Sequence, residues 1–329
     1  MVETGQSLIE RLLDEWPDLL CDARIGWGTG RGRIMNSAGI DEAYEQTSYY
    51  CSLGAQLIRG TDMLNIWTGS SSSHVLEENE LDRLLQTVRR SLRWSENIAK
   101  ATPSTGDIPV IFTPRGFAAT LLHPLLSGFN GKNVVNESSP LCERWGEKIV
   151  DENISVYDNP LIGGASGSRP FDDEGVASTK TALIENGIAG QPLLDLQTAG
   201  QLGKLSTGAA GRGLATTPSP SSSVIDVAAG DTHFEDMIAG IKEGLIVEEL
   251  LGAGQGNELG GDFRANVSLG YRIANGEIVG RVKDTMVSGN VYSVLSQVEY
   301  IGDSPEWIFG SLRSPAIQCR GVEVATKSE

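Results

Sequence analysis

Thr181-Ala182-Leu183-Ile184-Glu185-Asn186-Gly187-Ile188 is the stretch that decides the fold class. A short aliphatic run is followed at once by Asn-Gly, the dipeptide whose two residues accept positive φ and so close a two-residue type I′ hairpin. The same device recurs at Asn275-Gly276, between Tyr271-Arg272-Ile273 and Ile278-Val279. Working outward, the chain from Ile154 onward reads as short strands separated by turns, and 40 glycines in 329 residues agree with many tight turns. Toward the amino end, Tyr50, Ser52, Gln56 and Ile58, then Leu64-Asn65-Ile66-Trp67, alternate as antiparallel strands with one wet face. Asn36-Ser37-Ala38-Gly39 is expected to turn between two strands, after a glycine-rich lead of Gly26, Gly28, Gly30 and Gly32.

Helical spacing predicts a few helices among these strands. Leu8, Ile9, Leu12, Leu13, Trp16, Leu19 and Leu20 form one stripe over Ser7–Leu20, and Leu81, Leu84, Leu85, Val88, Leu92 and Ile98 form another over Glu78–Lys100. Gly69 to Ser73 reads as a serine-rich linker, and Pro218-Ser219-Pro220 with three following serines as a loop. Pro109-Val110-Ile111-Phe112 reads as a buried strand, followed by a helix opened by Pro114 and interrupted at Pro124. Thr232-x-x-Glu235 has the form of a capping box ahead of Phe234, Met237, Ile238 and Ile241, and Asn290 is the expected cap of a helix over Val291–Tyr300. The fold class is therefore α+β. Thr102–Gly106 marks the expected boundary between an N-terminal α+β domain, 1–105, and a strand-rich C-terminal domain, 106–329.

Twenty-six basic against 43 acidic residues give a net charge of −17. With no basic cluster, nucleic acid is not an expected partner, because phosphate binding needs a Lys/Arg face. No apolar run has a membrane span's length, and the amino end lacks a signal peptide's basic and apolar regions, so a cytoplasmic location is expected. Cys21, Cys51, Cys142 and Cys319 show no C-x-x-C pairing and are expected to be free thiols.

Single motifs say little about chemistry. Gly252-Ala253-Gly254-Gln255-Gly256 lacks the helix that a nucleotide loop needs at its third glycine. Asp172-Asp173-Glu174-Gly175 lacks the alternating ligand spacing of a cation loop and reads first as a tight solvated turn. Ser166, Ser168 and Ser206 are outside any G-x-S-x-G elbow. The three histidines are poorly placed as a base: His74 follows four serines, His233 opens a helix facing water, and His123 on an apolar helix reads as a satisfied core residue.

Taken in order, the motifs form a pattern. Asn36-Ser37-x-Gly39, Ser168-x-Pro170-Phe171-Asp172-Asp173-Glu174-Gly175-Val176, Leu183-Ile184-Glu185-Asn186-Gly187, Asp195-x-x-Thr198-Ala199-x-x-Leu202-Gly203, Ser206-Thr207-Gly208, Gly261-Asp262-Phe263 with Ile273-x-Asn275-Gly276-Glu277, and Gly289-Asn290-Val291 together resemble the TldD/PmbA family. These are peptidase-like proteins once called modulators of DNA gyrase. The resemblance implies a two-part α+β fold with extensive mixed and antiparallel sheet, here with a shortened amino-terminal part. It also implies two kinds of subunit. In the TldD type, His-Glu-x-x-x-His on a helix and a later cysteine hold zinc, and the glutamate is the general base. The PmbA (TldE) type lacks these groups. Here the corresponding helix reads His123-Pro124-Leu125-Leu126-Ser127-Gly128, so His123 stands at a vestigial ligand position, with Pro124 and Gly128 replacing the glutamate and the second histidine. Cys319 falls after the loop where the third ligand would stand.

The resemblance thus implies a PmbA/TldE-like subunit with no catalytic residues, no metal and no cofactor of its own, in a heterodimer with a zinc-binding TldD-type partner that processes unfolded or modified peptides. Asp172, Asp173, Glu174 and Gly175 would then line the peptide channel. The alternative is a stand-alone peptide-binding or homodimeric module without proteolytic activity.

Overall fold

Asn186 and Gly187 take φ of 51° and 77°, and Asn275 and Gly276 take 53° and 81°, as type I′ turns require. Each joins antiparallel strands: Thr181–Glu185 with Ile188–Ala189, and Asp262–Ala274 with Glu277–Val282. This computed structural model describes residues 1–252 and 256–327; Ala253, Gly254 and Gln255 of the glycine-rich loop lie outside them. The α+β class with extensive sheet, expected from the sequence, is the one observed.

Helix α1 (Val2–Leu13) is followed by a three-stranded antiparallel meander, β1 (Leu20–Met35), β2 (Asp41–Arg59) and β3 (Asp62–Ser72), and then helix α2 (Glu78–Trp94). Short strands β4 (Ile98–Ala99), β5 (Ser104–Thr105) and β6 (Val110–Phe112) carry the chain into a ten-stranded mixed sheet. Its order is Val298–Ile301, Ile317–Cys319, β6, Glu243–Leu251, Asp262–Ala274, Thr285–Asn290, Glu323–Thr326, β5, with Glu277–Val282 joining Asp262–Ala274 to β4. A six-stranded sheet holds Glu306–Ile308, Leu312–Ser314, Ile225–Val227, Val156–Asp158 and the 181–189 hairpin.

Two cores flank the large sheet. On one side Leu8, Leu12, Leu53, Ile66, Leu85 and Val88 meet Ile111, Ile246, Tyr271 and Ile273. On the other, Phe117, Leu121, Leu125 and Phe129 meet Val110, Phe112, Leu245 and Val247. Alternation along β6 sends Ile111 to the first core and its neighbours Val110 and Phe112 to the second. Each fully buried aliphatic side chain contributes about 1.5–3 kcal/mol.

Several local expectations are corrected. The first helix ends at Leu13 and Leu20 begins β1, because Pro17 disfavours helical geometry at Trp16. The glycine-rich lead forms the interior of β1. Opposite it, β2 places Tyr50 across from Gly26 and Tyr44 across from Gly32, and a β-carbon at either glycine would lie within about 2.5 Å of a tyrosine ring. Gly69–Ser73 is largely the end of β3, so the expected serine-rich linker is strand. Helix α2 stops at Trp94, whose ring stands edge-on to Tyr271 at 5.0 Å; Ile98–Ala99 is instead drawn into strand pairing with Arg281–Val282. Thr232 makes no capping box: His233 is the N-cap of Phe234–Ala239, and the Thr232 hydroxyl turns to Asp231. Asn290 does cap a helix, but it ends at Leu295, and Val298–Ile301 pairs with Ile317–Cys319. Ser219–Pro220 forms a two-residue strand against Ala210–Gly211 rather than loop. The turn at Asn36–Gly39 is as expected, with the Asn36 carboxamide accepting the amides of Ala38 and Ile40 at 3.0 and 3.1 Å.

The 181–189 hairpin supplies a direct test. A β-carbon on Gly187 would stand 2.7 Å from the carbonyls of Val150 and Asp151, whereas one on Gly203, also at positive φ, would meet nothing within 4 Å. Gly187→Ala is expected to lose about 1–3 kcal/mol in urea unfolding, clearly more than Gly203→Ala. Equal losses would remove the close approach as the cause.

Candidate functional site

Strand β6 runs directly into the helix on which the family resemblance places its metal ligands. Thr113 caps it, its hydroxyl accepting the Gly116 amide at 3.2 Å, and Pro114 occupies the first turn. Gly116 has no room for a side chain because a β-carbon would collide with the Val247 carbonyl, so the helix lies tight on strand Glu243–Leu251. Helix α3 (Pro114–Phe117) passes through a π turn, Ala118–Leu122, into α4 (His123–Phe129). Pro124 therefore does not interrupt the helix. It falls at the start of α4 immediately after the widened turn, a common way to accommodate an irregular i→i−4 ladder.

Phe117, Leu121, Leu125 and Phe129 bury one face, and His123 points away from it with 76% of its side chain exposed. The expectation of a core histidine is thus overturned. Its Nδ1 lies 3.2 Å from Oε2 of Glu258, which the short 3₁₀ turn Glu258–Gly260 presents.

Gly128 faces Tyr292 on the helix capped by Asn290, and a β-carbon at Gly128 would collide with the tyrosine hydroxyl. Burial pushes that phenol's pKa up, and its oxygen has no hydrogen-bond partner among the described residues. A histidine at 128 would need the space that this hydroxyl fills. Cys319 lies fully buried in a core strand beside β6, its thiol pKa raised by burial, and all four cysteines are free as expected. Among the described residues no group of three or more His, Cys, Asp or Glu side chains is arranged to hold a metal ion. His123 and Glu258 alone do not make a zinc site of the expected three-ligand kind.

The acidic signature is built differently from the expected solvated turn. Asp172 is fully buried, and its carboxylate accepts the amides of Glu174, Val176 and Ala210, each at 2.9 Å. Asp173 accepts the Arg212 amide at 2.8 Å, and Glu174 the Leu196 amide at 2.7 Å at the head of helix Leu196–Leu202. Burial raises the Glu174 pKa, opposed by the Leu196 amide and reinforced by Asp195 and Asp172. Gly175 has φ of 80° and approaches Ile40 in the β1–β2 turn, while Phe171 stands edge-on to Tyr44 at 5.3 Å. The four residues thus clasp three elements together.

The remaining candidates are dispersed. Ser166 bonds Ser71 at 2.8 Å, Ser206 donates to the Leu194 carbonyl at 3.0 Å, and Ser168 donates to the Ile162 carbonyl. His74 lies 2.5 Å from the Ser72 hydroxyl, but Ser72 is buried at the end of β3. His233 is exposed as expected and pairs with Asp303. Three determinants escaped sequence reasoning: Tyr292, Glu258 and Asp158. The first two act through contacts with residues more than 130 positions away. Asp158 is buried at the end of Val156–Asp158, and its Oδ1 accepts the amides of Ser223 and Val224 at 2.9 Å.

The site is thus a sheet-backed helix facing a capped turn inside an extensive α+β fold. The family described as PmbA/TldA metallopeptidase C-terminal domain matches residues 105–326, and the chain belongs to that family. An uncharacterized protein of Methanocaldococcus jannaschii is 28% identical over 295 residues, which cover 89% of this chain and 66% of that protein. A metalloprotease of Methanothermobacter thermautotrophicus is 30% identical over 235 residues, 71% of this chain and 51% of its own. Metalloprotease PmbA of Escherichia coli is 30% identical over 203 residues, 62% and 42% respectively. The chain thus spans less than two thirds of each of these relatives. The crystal structure of TldE from Thermococcus kodakarensis superposes with a TM-score of 0.86 at 24% identity, covering 99% of this chain and 74% of that one, and shares its fold. No helix among the described residues is long and apolar enough to cross a membrane.

Two carboxylates give measurable expectations. Asp172→Asn leaves one oxygen for three amides and is expected to cost about 2–4 kcal/mol, against about 1 kcal/mol or less for Asp173→Asn. Comparable losses would refute the clasp. Burial raises the Asp158 pKa from 3.8 to about 6, partly offset by the two amides and by Arg169. The folded chain therefore holds this proton more tightly than the unfolded chain, so stability from this site is full below pH 4 and falls as pH rises to about 6. Asp158→Asn keeps the accepting oxygen without the charge, and its unfolding free energy in urea is expected to lack that fall and to exceed wild type at pH 7.5 by about 2–3 kcal/mol.

Proposed function

We propose that the chain is a PmbA/TldE-like, metal-free subunit of a metalloprotease complex of the TldD–TldE kind, which processes unfolded or modified peptides. The observation that carries this reading is the Tyr292 hydroxyl packed into the space beside Gly128, on a helix that offers one imidazole, His123, and a proline at the general-base position. Zinc and the general base would come from a TldD-type partner. The names of the relatives, metalloproteases and PmbA, support the activity of the complex.

The peptide itself is recognised through main-chain groups in this reading. β1 is an edge strand of the meander, and an extended peptide can pair with such an edge whatever its side chains. The clasp of Asp172, Asp173, Glu174 and Gly175 would serve the channel by holding the β1–β2 turn in place rather than by touching the peptide. The net charge of −17 favours no nucleic-acid role, a cytoplasmic setting is part of the proposal, and the working division remains 1–105 and 106–329.

Metal analysis and a peptidase assay on the pure chain, alone and mixed with a TldD-type protein, test the proposal. The expected result is cleavage in the mixture only, with zinc travelling with the partner. One zinc per chain together with cleavage by the lone chain would overturn it.

A further inference from the structure

Strand β2 outruns one of its two partners. It pairs with β1 from Asp41 to Gln56, but with β3 only from Tyr49 to Arg59. Residues 41–48 therefore keep a single ladder and present a free edge where β3 has ended. The Asn36 amide bonds the Ile40 carbonyl at 3.0 Å, and along an antiparallel pair the bonded residues recur at every second position. Tyr44, Gln46 and Ser48 accordingly bond to β1, while Ala43, Glu45 and Thr47 direct their amides and carbonyls at the free edge. None of these three amides has a hydrogen-bond partner among the described residues.

Such edges are commonly blunted by lysine, proline or a bulge. Asp41–Ser48 contains neither residue, and its pairing with β1 runs without a register shift. Its acids at 41 and 45 are answered across the ladder by Arg33 at 2.7 Å and Arg31 at 4.0 Å. The edge also has a facing wall. A groove of about 710 Å³ separates Glu45, Gln46 and Thr47 from Ser73, Ala165, Ser166 and Ser168. That wall is held by its own bonds: the Ser73 amide donates to the Gly164 carbonyl at 2.9 Å, and the Ser166 amide to the Gly310 carbonyl at 2.8 Å. The Ser166 and Ser168 hydroxyls are committed to Ser71 and to the Ile162 carbonyl. The wall shapes the groove, and β2 supplies its unpaired main-chain groups.

We infer that this groove binds a substrate peptide in extended form, which lies against residues 43–47 of β2 as an added strand in line with β3. Ala43 to Thr47 spans about 13 Å at roughly 3.3 Å per residue, room for about four or five guest residues. β3 takes the same edge from Tyr49 onward, so the guest continues an existing ladder. The 165–168 wall admits one strand, whereas a partner's sheet edge would bring further strands into it. The inference rests on the reading of this chain as a peptide-handling subunit, and it gives the peptide a walled place on the edge opposite to that of β1.

The test is amide hydrogen exchange of the full chain, followed by NMR, with two acetylated and amidated hexapeptides, one of alternating Thr and Val and one of alternating Ser and Leu. Both are expected to bind saturably and to slow exchange about tenfold at Ala43, Glu45 and Thr47, with Tyr44 and Gln46, already bonded to β1, unchanged. The same peptides N-methylated at both central residues, one of which faces β2 in either register, are expected to bind roughly tenfold more weakly. Glu45→Pro removes an outward amide and no bond to β1, so it is expected to fold and to weaken binding by a similar factor. If that variant does not fold, the N-methyl comparison decides alone. Equal binding of the methylated peptides, absence of saturation, or protection of the same amides by a TldD-type protein without peptide would overturn the inference. Cleavage by the mixture of the two proteins, with no protection at Glu45 and Thr47, would remove it and leave the proposed function standing.

Discussion

Burial of the central strands on both faces is the constraint on which the rest of the structure depends. Val110, Ile111 and Phe112 in β6, and Leu245, Ile246 and Val247 beside them, are all essentially without solvent exposure. Such strands pair in parallel here, as expected where both faces are covered. Each face must therefore find a cover, and the two covers differ. Helix 114–129 closes one, and α1, α2 and the β1–β3 meander close the other. The elements before and after Thr102–Gly106 consequently share one hydrophobic core.

That arrangement explains what the helix carrying His123 can and cannot do. Its apolar face is spent on the sheet, Gly116 sets its distance from strand Glu243–Leu251, and Tyr292 packs against Gly128. What remains toward solvent is His123 beside Glu258. The acidic signature belongs to the same logic of positioning. Three carboxylates receive five backbone amides, and the turn they form holds the β1–β2 hairpin against the strand-rich part. Its chemistry is that of buried hydrogen bonding, where an unmade bond costs more than a made one contributes.

The polar groups left inside the sheet's other cover follow from the bulge at Glu248. A register shift re-aims side chains, and here it places the buried Glu248 carboxylate 3.5 Å from the Arg90 guanidinium on α2.

Local features were legible in the sequence by itself. Asn186-Gly187 and Asn275-Gly276 specify their turns because few other pairs accept two positive φ values, and Asn290 and Pro114 mark helix starts because their side chains meet orphan amides or need none. The family was legible for the same reason, since its blocks are mostly such turn and cap residues. The tertiary structure alone decided where each element stopped and which side chains met. Ile98 and Val298 became strand because edges of the large sheet were waiting for them, and Gly26–Gly32 became strand because tyrosines of β2 cover them. Asp172 was buried by amides up to 38 positions away, and Tyr292 reached Gly128 across 164. Local propensity acts over a few residues, whereas burial and hydrogen-bond satisfaction are settled between residues that the chain brings together only on folding.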